Sequence, residues 1–489
     1  MNLNIVYIET YGCAANQNNS EIMAGMLSRA GFIITNNQEI AEIIILNTCI
    51  VKSKTESKIQ RRIQDLKNQS QTGKNKLVII AGCVIESEAK KLKKLNPSII
   101  FLGTHHTKDI LNLIRDYKEK KLGDKKQSSY LSNQNEIKLN TPKQPQNSLI
   151  SIHQISEGCL GDCTFCKTRL AKGKLYSYPK EEIIKSIESD LQNHAKEIWI
   201  TSQDNAAYGL DWANSREVPS KKTSDLQELK SQKFKISEPL GVLDKDNATY
   251  GLDKGKSELI ELLKEILSLK YKFKLRLGMM NPNNVLPILN ELIEVYKTNP
   301  KLYKFLHIPI QSASNPVLKH MNRHYTLEQA EHIIKKFKEQ IPNITIATDI
   351  IVGYPTETKQ DHQKNINFIR DFKPDVLNIS KFSSHKLTPA GKLKPIKNSI
   401  INEQTSELMQ LHRKTAQENK QIYKDKILKV FINKKISDNL HEARDENYNI
   451  ILLKCDKSLL GKEIQVKIKE IGVHHLIGEI IKEENISLI

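Results

Sequence analysis

The sequence lacks the features of a membrane or secreted protein. No apolar run approaches the roughly 18–20 residues that a membrane-spanning helix needs. The opening residues, MNLNIVYIET, do not combine a basic region, an apolar stretch and a small-residue cleavage site. We therefore expect a cytoplasmic protein that has no membrane partner.

Several common catalytic signatures are also missing. The 489 residues contain no G-x-S-x-G, P-loop or H-E-x-x-H motif. Cysteine is scarce, with seven residues, and the chain is long enough to build hydrophobic cores. We therefore do not expect a small fold that is held together by disulfides. In a reducing compartment we expect these cysteines to serve as thiolate ligands or catalysts.

Acidic residues are too few to balance the basic ones. Lys and Arg number 75 against 56 Asp and Glu, which leaves a net charge of +19. Such an excess attracts polyanions and favours nucleic acid as a partner, although a Lys-rich proteome that keeps its proteins soluble is the alternative. Much of the excess lies early in the chain, at Lys52, Lys54, Lys58, Arg61, Arg62, Lys67, Lys74 and Lys76.

The pattern of apolar residues predicts an α/β fold in three parts. In residues 1–117, short β-branched runs alternate with amphipathic stretches, which indicates a parallel α/β domain. Residues 118–147 are polar and typical of a linker. In residues 148–400, six strand–helix units predict a partial, open barrel with active residues at the carboxyl ends of its strands. A connecting helix at 401–425 and a small all-β barrel at 426–489 follow.

The strand predictions can be stated by residue. They are Ile5–Thr10, Ile43–Asn47, Leu77–Gly82 and Ile99–Leu102 in the first part, and Leu149–Ile155, Glu197–Thr201, Lys274–Gly278, Phe305–Ile308, Thr345–Ile351 and Val376–Lys381 in the second. The first helix is predicted at Glu21–Ala30.

A near-repeat interrupts the central part. The string DNAAYGLD at 204–211 recurs as DNATYGLD at 246–253, with a polar tract between the copies. Only one copy can directly follow the strand at 197–201, so we interpret residues from about 212 to 246 as an insertion. A surface loop without function is the favoured interpretation.

The strongest chemical signal is a cysteine-rich loop after the first strand of the central part. Cys159, Cys163 and Cys166 follow a C-x3-C-x2-C spacing. Three thiolates this close can wrap one iron–sulfur cube and leave its fourth iron open to a reactant. A zinc knuckle is the alternative, but such sites usually offer four ligands, and no fourth Cys or His stands nearby.

Three further cysteines each follow a predicted strand of the first part. Cys13, Cys49 and Cys83 come after the strands at 5–10, 43–47 and 77–82. Because parallel strands end on one edge of their sheet, the three sulfurs should converge there. We predict a second three-thiolate cluster with an open iron. The alternative, three unrelated core cysteines, does not explain the shared offset.

These motifs resemble a known family. The C-x3-C-x2-C loop is similar to that of the radical S-adenosylmethionine superfamily, and its combination with TYGC, NTC and AGC around Cys13, Cys49 and Cys83 resembles the methylthiotransferases. Further similar stretches are TSQDN at 201–205, RLGMMNP at 276–282, HIPIQSAS at 307–314, ATDIIVGYPTET at 347–358 and a C-terminal stretch like a TRAM domain. The loop and HIPIQSAS are most similar to the archaeal and eukaryotic branch, which modifies N6-threonylcarbamoyladenosine in tRNA.

The resemblance implies an enzyme with two 4Fe-4S clusters and S-adenosylmethionine. Cys159, Cys163 and Cys166 would hold the radical-generating, catalytic cluster, and Cys13, Cys49 and Cys83 would hold a sulfur-donor cluster. The implied product is 2-methylthio-N6-threonylcarbamoyladenosine at position 37 of tRNA. An unactivated C–H bond at C2 of adenine explains the need for a radical. We expect a monomer, and no residue pattern identifies the electron donor that it needs.

The same resemblance implies contacts to S-adenosylmethionine near the barrel strand ends. The expected residues are Gln203, Asp204, Arg276, Gln311 and Asp349, each of which has an ordinary structural role as its alternative. Asn16 and Lys167 lie beside cluster cysteines and could support them. One stretch departs from the family: SSHKLTPAG at 383–391 replaces a Pro-Arg-Pro-Gly-Thr-like segment.

Two other functions are compatible with the sequence. Within the family, the alternative is methylthiolation of an aspartate in a ribosomal protein. The other is a non-catalytic protein that binds RNA or zinc. For the C-terminal barrel, whose charges nearly balance, RNA contacts are expected at Lys434, Lys435, Arg444, Asn447 and Tyr448.

Overall fold

The computed structural model describes residues 4–49, 53–70, 76–212, 256–455, 459–481 and 487–488. Its first part is a five-stranded, all-parallel sheet in the order β2-β1-β3-β4-β5. The strands are β1 Ile5–Thr10, β2 Ile33–Ile34, β3 Ile43–Cys49, β4 Leu77–Cys83 and β5 Ile100–Gly103. The helices are α1 Ala14–Arg29, α2 Ser53–Ser70, α3 Glu86–Leu95, α4 Ile110–Lys118 and α5 Asp124–Ser129.

The central strands of this sheet are apolar on both faces. All residues of β4 are buried, as are six of the seven residues of β3. Alternate side chains therefore enter two separate cores, one on each face, as expected for a parallel sheet between helical layers. The helix α1 begins at Ala14, seven residues before the predicted start, so it begins directly after Cys13.

Residues 118–147 pack closely despite their polar composition. They include α5, and Lys138 is fully buried next to Glu157. The segment also presses on α1, since a Cβ at Gly25 would lie 2.5 Å from the carbonyl oxygen of Pro142. The segment that we interpreted as a polar linker thus forms part of the contact between the first two parts.

The central part contains six parallel strands in two ladders, β6-β9-β10 and β11-β12-β13. A parallel bridge between Leu275 and Leu302 joins the ladders. The six parallel strands of the central part are β6 Ile150–Gln154, β9 Glu197–Thr201, β10 Lys274–Leu277, β11 Phe305–His307, β12 Thr345–Val352 and β13 Val376–Lys381. Two short strands, β7 Ser156–Glu157 and β8 Tyr176–Ser177, form a separate antiparallel pair. The helices of this part are α6 Thr168–Lys172, α7 Lys180–Gln192, α8 Leu259–Ser268, α9 Pro282–Val285, α10 Leu289–Thr298, α11 Asn315–His320, α12 Leu327–Gln340 and α13 Lys359–Phe372. The largest hydrophobic core lies between these strands and helices.

The first copy of the repeat directly follows β9. Asp204 begins a short 3-10 turn, and the rings of Tyr208 and Trp212 meet with centroids 5.3 Å apart. The chain is described again from residue 256, where the backbone N–H of Glu258 donates to the Tyr208 carbonyl at 3.0 Å. The segments that precede and follow residues 213–255 are therefore in direct contact. The second copy at 246–253 lies outside the described residues.

The helix α14 at Asn398–Lys420 leads into a closed barrel, whose strand pairs are antiparallel except for the parallel pair β16–β18. The sheet order is β14-β15-β16-β18-β17-β19, and pairing of β14 with β17 closes five of these strands. The strands are β14 Ile427–Ser437, β15 Leu440–Arg444, β16 Ile450–Lys454, β17 Lys462–Ile471, β18 Leu476–Ile480 and β19 Ser487–Leu488. No helix in the described part of the chain is long and apolar enough to cross a membrane.

The closed barrel contacts the amino-terminal end of the central strands. The Tyr448 ring packs on those of Tyr303 and Phe305, with centroids 4.8 and 5.1 Å apart. Asn433 donates to the carboxylate of Glu197, the first residue of β9, at 2.8 Å. Of the residues expected to contact RNA, Asn447 and Tyr448 are buried and Arg444 is largely covered, whereas Lys434 and Lys435 are exposed. Their contact with RNA stays a prediction.

Candidate active site

The cysteine loop of the central part is anchored at its base by a short antiparallel ladder. Strands β7 and β8 pair Glu157 with Tyr176, and the N–H of Cys159 donates to the carbonyl of Gly173 at 3.3 Å. At Gly158 φ is +74°, and a Cβ would lie 1.9 Å from the Lys174 carbonyl oxygen. Only glycine fits at this position, because the start of the loop passes very close to the backbone of Gly173 and Lys174 at its end.

Two of the three loop sulfurs lie close to Gly161. A Cβ there would lie 3.4 Å from Cys159 Sγ and 3.7 Å from Cys163 Sγ, and the Gly161 N–H donates to Cys159 Sγ at 3.3 Å. Burial, followed by the nearby Asp204 carboxylate, raises the pKa of Cys159 to about 12. Burial and Cys163 also raise the pKa of Cys166. The raised pKa keeps these thiols protonated until a metal displaces the proton, because ligation requires the thiolate.

The other three cysteines lie at one edge of the N-terminal sheet. Cys49 and Cys83 are register partners at the ends of β3 and β4. A hydrogen bond between their thiols, together with burial, raises the pKa of Cys83. Cys13 follows β1 and is exposed, and a Cβ on the preceding Gly12 would lie 2.7 Å from the Cys49 Cβ. The three loops that carry these cysteines therefore adjoin.

Asn16 holds these loops together from the first turn of α1. Its Nδ2 donates to the carbonyls of Tyr11 and Thr48, each at 2.8 Å. Its Oδ1 lies 3.8 Å from Cys83 Sγ, which donates to it. One buried amide thus contacts the segments of all three cysteines.

A buried charged junction connects the two cysteine sets. Lys172, in α6 just after the loop, forms an ion pair with Glu157, which also pairs with Lys138. Burial opposes the ionised form of Glu157, but Lys138 and Lys172 together lower its pKa. Burial likewise opposes the charge on Lys172, while Glu157, Cys83 and Cys13 raise its pKa. A side chain from the central part therefore acts electrostatically on the N-terminal cysteines.

A second contact joins the same two parts. Lys167, beside Cys166, lies 3.1 Å from Glu88 of α3 and 3.3 Å from Glu56 of α2. His385 Nε2 lies 3.1 Å from the same Glu88 oxygen. His385 belongs to the stretch that departs from the family pattern, so this stretch has a definite contact here.

The expected S-adenosylmethionine contacts occupy different environments. Asp204 accepts from the backbone N–H and side chain of Asn281 and from Asn284 at 2.7–3.0 Å, while burial raises its pKa. Asp349 contacts His307 at 3.0 Å and accepts from Asn378 at 2.7 Å.

Two more of these expected contacts are held by the strands around them. Gln311 has φ +66° and bridges β12 through backbone hydrogen bonds with Asp349 and Ile351. Arg276 lies 5.2–5.6 Å from the ring centroids of Trp199, Phe305 and Tyr448, toward the closed barrel. A ligand contact of Arg276 therefore stays a prediction.

Several buried polar atoms near the strand ends have no hydrogen-bond partner within the described ranges. They are Gln154 Oε1, Ser156 Oγ, Ser202 Oγ and Gln203 Oε1. Gln154 ends β6, and Ser202 and Gln203 follow β9. Because buried polar groups are nearly always paired, these atoms fit a polar ligand such as S-adenosylmethionine.

The chemistry of the donor sets fits a 4Fe-4S cube. Each set offers three thiols, Cys159, Cys163 and Cys166 in one and Cys13, Cys49 and Cys83 in the other. Three thiolates can hold three irons of a cube and leave the fourth iron open. Among the described residues, no group of three Cys, His, Asp or Glu side chains was found that could hold a single metal ion.

Sequence reasoning missed three contributors. Glu157 and Lys172 flank the cysteine loop in sequence, and this closeness could have indicated that they support it. Arg323, whose Nη1 donates to Cys163 Sγ at 3.3 Å, lies 160 residues from that cysteine and gives no such signal.

Comparisons with known proteins agree with this architecture. The model of the uncharacterized protein family UPF0004 matches residues 5–103, and that of the radical SAM superfamily matches residues 154–369. A probable threonylcarbamoyladenosine tRNA methylthiotransferase of Archaeoglobus fulgidus is 34% identical over 98% of this chain and 99% of its own length. The threonylcarbamoyladenosine tRNA methylthiotransferase of Xenopus laevis is 31% identical over 98% of this chain and 78% of its own.

A solved structure shares the fold at low identity. A radical S-adenosylmethionine methyltransferase from Kitasatospora setae superposes with a TM-score of 0.51 at 11% identity, covering 80% of this chain and 75% of that one. This likeness concerns the fold alone.

Proposed function

This chain belongs to the threonylcarbamoyladenosine tRNA methylthiotransferase family, and from that premise we propose that it transfers a methylthio group to C2 of N6-threonylcarbamoyladenosine at position 37 of tRNA. The proposed product is 2-methylthio-N6-threonylcarbamoyladenosine. We further propose that it acts as a monomer in the cytoplasm.

One observation carries the proposal: two sets of three cysteines flank a single buried junction. Lys172 lies in α6, which follows the loop of Cys159, Cys163 and Cys166 in sequence and packs against β4, the strand that ends at Cys83 of the other set. Glu157, which precedes Cys159, is its ion-pair partner. An enzyme that joins radical and sulfur chemistry needs two such centres close together.

The roles of the chain's own residues follow from their positions. We assign Cys159, Cys163 and Cys166 to one 4Fe-4S cluster and Cys13, Cys49 and Cys83 to a second. Bound there, the clusters and S-adenosylmethionine would supply the hydrogen-abstracting radical, the sulfur and the methyl group. Gln154, Ser202 and Gln203 would hold S-adenosylmethionine through their unpaired oxygens, and Asn16 would orient the N-terminal thiolates.

The tRNA would meet a positively charged surface on the N-terminal part. Exposed cations line α2 and α3, namely Lys58, Arg61, Lys90, Lys91 and Lys94. Such residues neutralise phosphates without reading sequence. The site itself would select the modified adenosine.

The test separates the two cysteine sets. The parent enzyme, C159A/C163A/C166A and C13A/C49A/C83A would be reconstituted anaerobically with iron and sulfide and incubated with reductant, S-adenosylmethionine and tRNA that carries N6-threonylcarbamoyladenosine. We expect about eight irons per parent chain and about four in each variant, because each cube holds four. The parent should form 5′-deoxyadenosine and the methylthio nucleoside.

The two variants should fail differently. The loop variant should lose both products, whereas the N-terminal variant should still form 5′-deoxyadenosine but no methylthio nucleoside. A C455A variant serves as the control, because Cys455 lies in the C-terminal barrel. Parent enzyme that binds zinc instead of iron, or that leaves the tRNA unchanged, would reject the proposal.

A further inference from the structure

Arg323 reaches a sulfur of the cysteine loop from a distant segment. It follows α11, and its Nη1 donates to Cys163 Sγ at 3.3 Å. Arginine stays charged under all protein conditions, so this is a charge-assisted hydrogen bond to a proposed cluster ligand. Its charge and its geometry both bear on the chemistry of that sulfur.

The guanidinium is fixed by partners on its other nitrogens. Nε donates to Tyr325 Oη at 3.1 Å, and the Tyr325 ring centroid lies 5.0 Å away. Nη2 donates to Asn281 Oδ1 and to the Pro309 carbonyl at 3.3 Å. Tyr325 in turn donates to the carbonyls of Pro309 and Ile310. This planar group therefore has little freedom to turn away from the sulfur.

The same network continues to Asp204. Asn281, which accepts from Arg323, donates to Asp204 from its backbone N–H at 3.0 Å and from its side chain at 2.9 Å. The buried carboxyl of Asp204 is thus connected through Asn281 to the guanidinium that donates to Cys163. Both side chains are therefore held in one hydrogen-bonded set.

Another arginine near the loop provides a contrast. Arg169 Nη1 donates to the carbonyls of Gly161 and Leu160, at 2.6 and 3.4 Å. It brings a positive charge to the same loop, but the described hydrogen bonds of its guanidinium go to backbone carbonyls, and only its backbone N–H bonds a sulfur, that of Cys166. The two arginines allow a sulfur hydrogen bond to be distinguished from charge alone.

We propose that Arg323 is a positioning residue that sets the reduction potential of the cluster held by Cys159, Cys163 and Cys166. The inference rests on the proposed function, which places a cluster on this loop. Reduction adds one negative charge to a cluster and its thiolates, so a fixed cation stabilises the reduced form more than the oxidised form. Hydrogen bonds to the sulfurs have the same effect, and both raise the potential.

The test is a redox titration of the loop cluster alone. Arg323→Gln, Arg323→Lys and Arg169→Gln would be made in the full-length C13A/C49A/C83A chain, which retains one proposed cluster. The fraction reduced would be followed by electron paramagnetic resonance as the solution potential is lowered. We expect R323Q to shift the midpoint to more negative potential, R323K to lie between R323Q and the parent, and R169Q to shift less than R323Q.

The outcomes separate this inference from the proposed function. If the C13A/C49A/C83A chain without further substitution does not hold about four irons, the proposed function itself is defeated. An R323Q midpoint equal to that of the parent, or a shift in R169Q as large as that in R323Q, would overturn the role of Arg323. If R323Q and R323K both lose iron while R169Q keeps it, Arg323 serves cluster assembly and the inference is also overturned.

Discussion

The cysteines of the candidate site could be predicted from sequence, whereas the buried polar residues around them could not. The six cysteines follow strand ends or form one compact spacing, and both signals are visible in the letters. Asn16 and Glu157 contribute through hydrogen bonds and ion pairs that depend on the packed structure. A buried charge of this kind is destabilising unless it is paired, so its partner is part of its function.

Glu357 is a buried carboxyl whose titration should be measurable. Burial raises its pKa to about 7, although it accepts hydrogen bonds from Gly353 and Asn365. Between pH 4.5 and 7 the folded chain holds a proton that the unfolded chain has released. Stability from this group is therefore complete below pH 4.5 and is lost as the pH rises to 7, by roughly 3 kcal/mol at about 1.4 kcal/mol per pKa unit.

This prediction can be checked with an isosteric substitution. Glu357→Gln cannot ionise, so its melting temperature should fall less than that of the parent between pH 5 and pH 8. Glu339→Gln, at an exposed position of α12, should follow the parent at both pH values. Parallel melting curves for Glu357→Gln and the parent would contradict the prediction.

At the scale of elements, periodicity predicted strands better than polar helices. The predicted bounds of β1, β9 and β13 agree with the structure, because short β-branched runs between turn residues leave little choice. The start of α1 was missed, since buried Asn16, Asn18, Asn19 and Ser20 break the apolar pattern. Asn16 donates to the Thr48 carbonyl, Asn19 donates to Thr104 and Ser20 accepts from Asn47, all within the N-terminal part, so tertiary contacts overrule the local signal.

The same limit applies to the segment at 118–147. Its composition resembles a linker, whereas Lys138 is buried through its pairing with Glu157 on another element. Charge pairing across elements leaves no periodic trace in sequence. Hydrophobic periodicity therefore predicts cores but not polar contacts between them.

The contact between α3 and the cysteine loop yields a prediction at this scale. Glu88 and Lys167 are both largely buried, so Glu88→Lys should bring two buried cations together and cost about 3 kcal/mol, although Lys167 keeps its contact with Glu56. We expect Glu88→Lys to lower the melting temperature of the iron-free chain, and Glu88→Lys combined with Lys167→Glu to recover part of the loss.

A double-mutant cycle measures this coupling. Exposed Glu86 on the same helix provides the control, since Glu86→Lys breaks only a solvent-exposed pair with Lys90. A double variant no more stable than the sum of the single losses would show that the two residues do not interact.

For the whole molecule, the interruption after Trp212 should be dispensable for folding. The structure describes the chain up to Trp212 and again from residue 256. Directly after this interruption, Ser257 Oγ and the backbone N–H of Glu258 both donate to the Tyr208 carbonyl. Replacing residues 213–255 by a linker of about six Gly and Ser residues removes none of the described contacts. We expect a change in melting temperature of no more than about 3 °C, equivalent to roughly 1 kcal/mol.

The matched control removes one anchor instead. In Tyr208→Ala the described ring contact with Trp212 and the hydrogen bond to the Tyr178 carbonyl are lost, so the melting temperature should fall clearly. A shortened chain that unfolds as readily as Tyr208→Ala would mean that residues 213–255 contribute to the fold.

The seating of Tyr448 against Tyr303 and Phe305 changes how truncation experiments should be understood. A chain shortened after residue 425 loses the C-terminal barrel, which is a candidate for RNA binding. The same truncation exposes the rings of Tyr303 and Phe305 and removes Tyr448, one of the three aromatic neighbours of Arg276. Weak tRNA retention by such a fragment would therefore reflect damage to the catalytic half as much as a missing RNA contact. Point substitutions at exposed Lys434 and Lys435 are the cleaner route to the nucleic-acid affinity of this module.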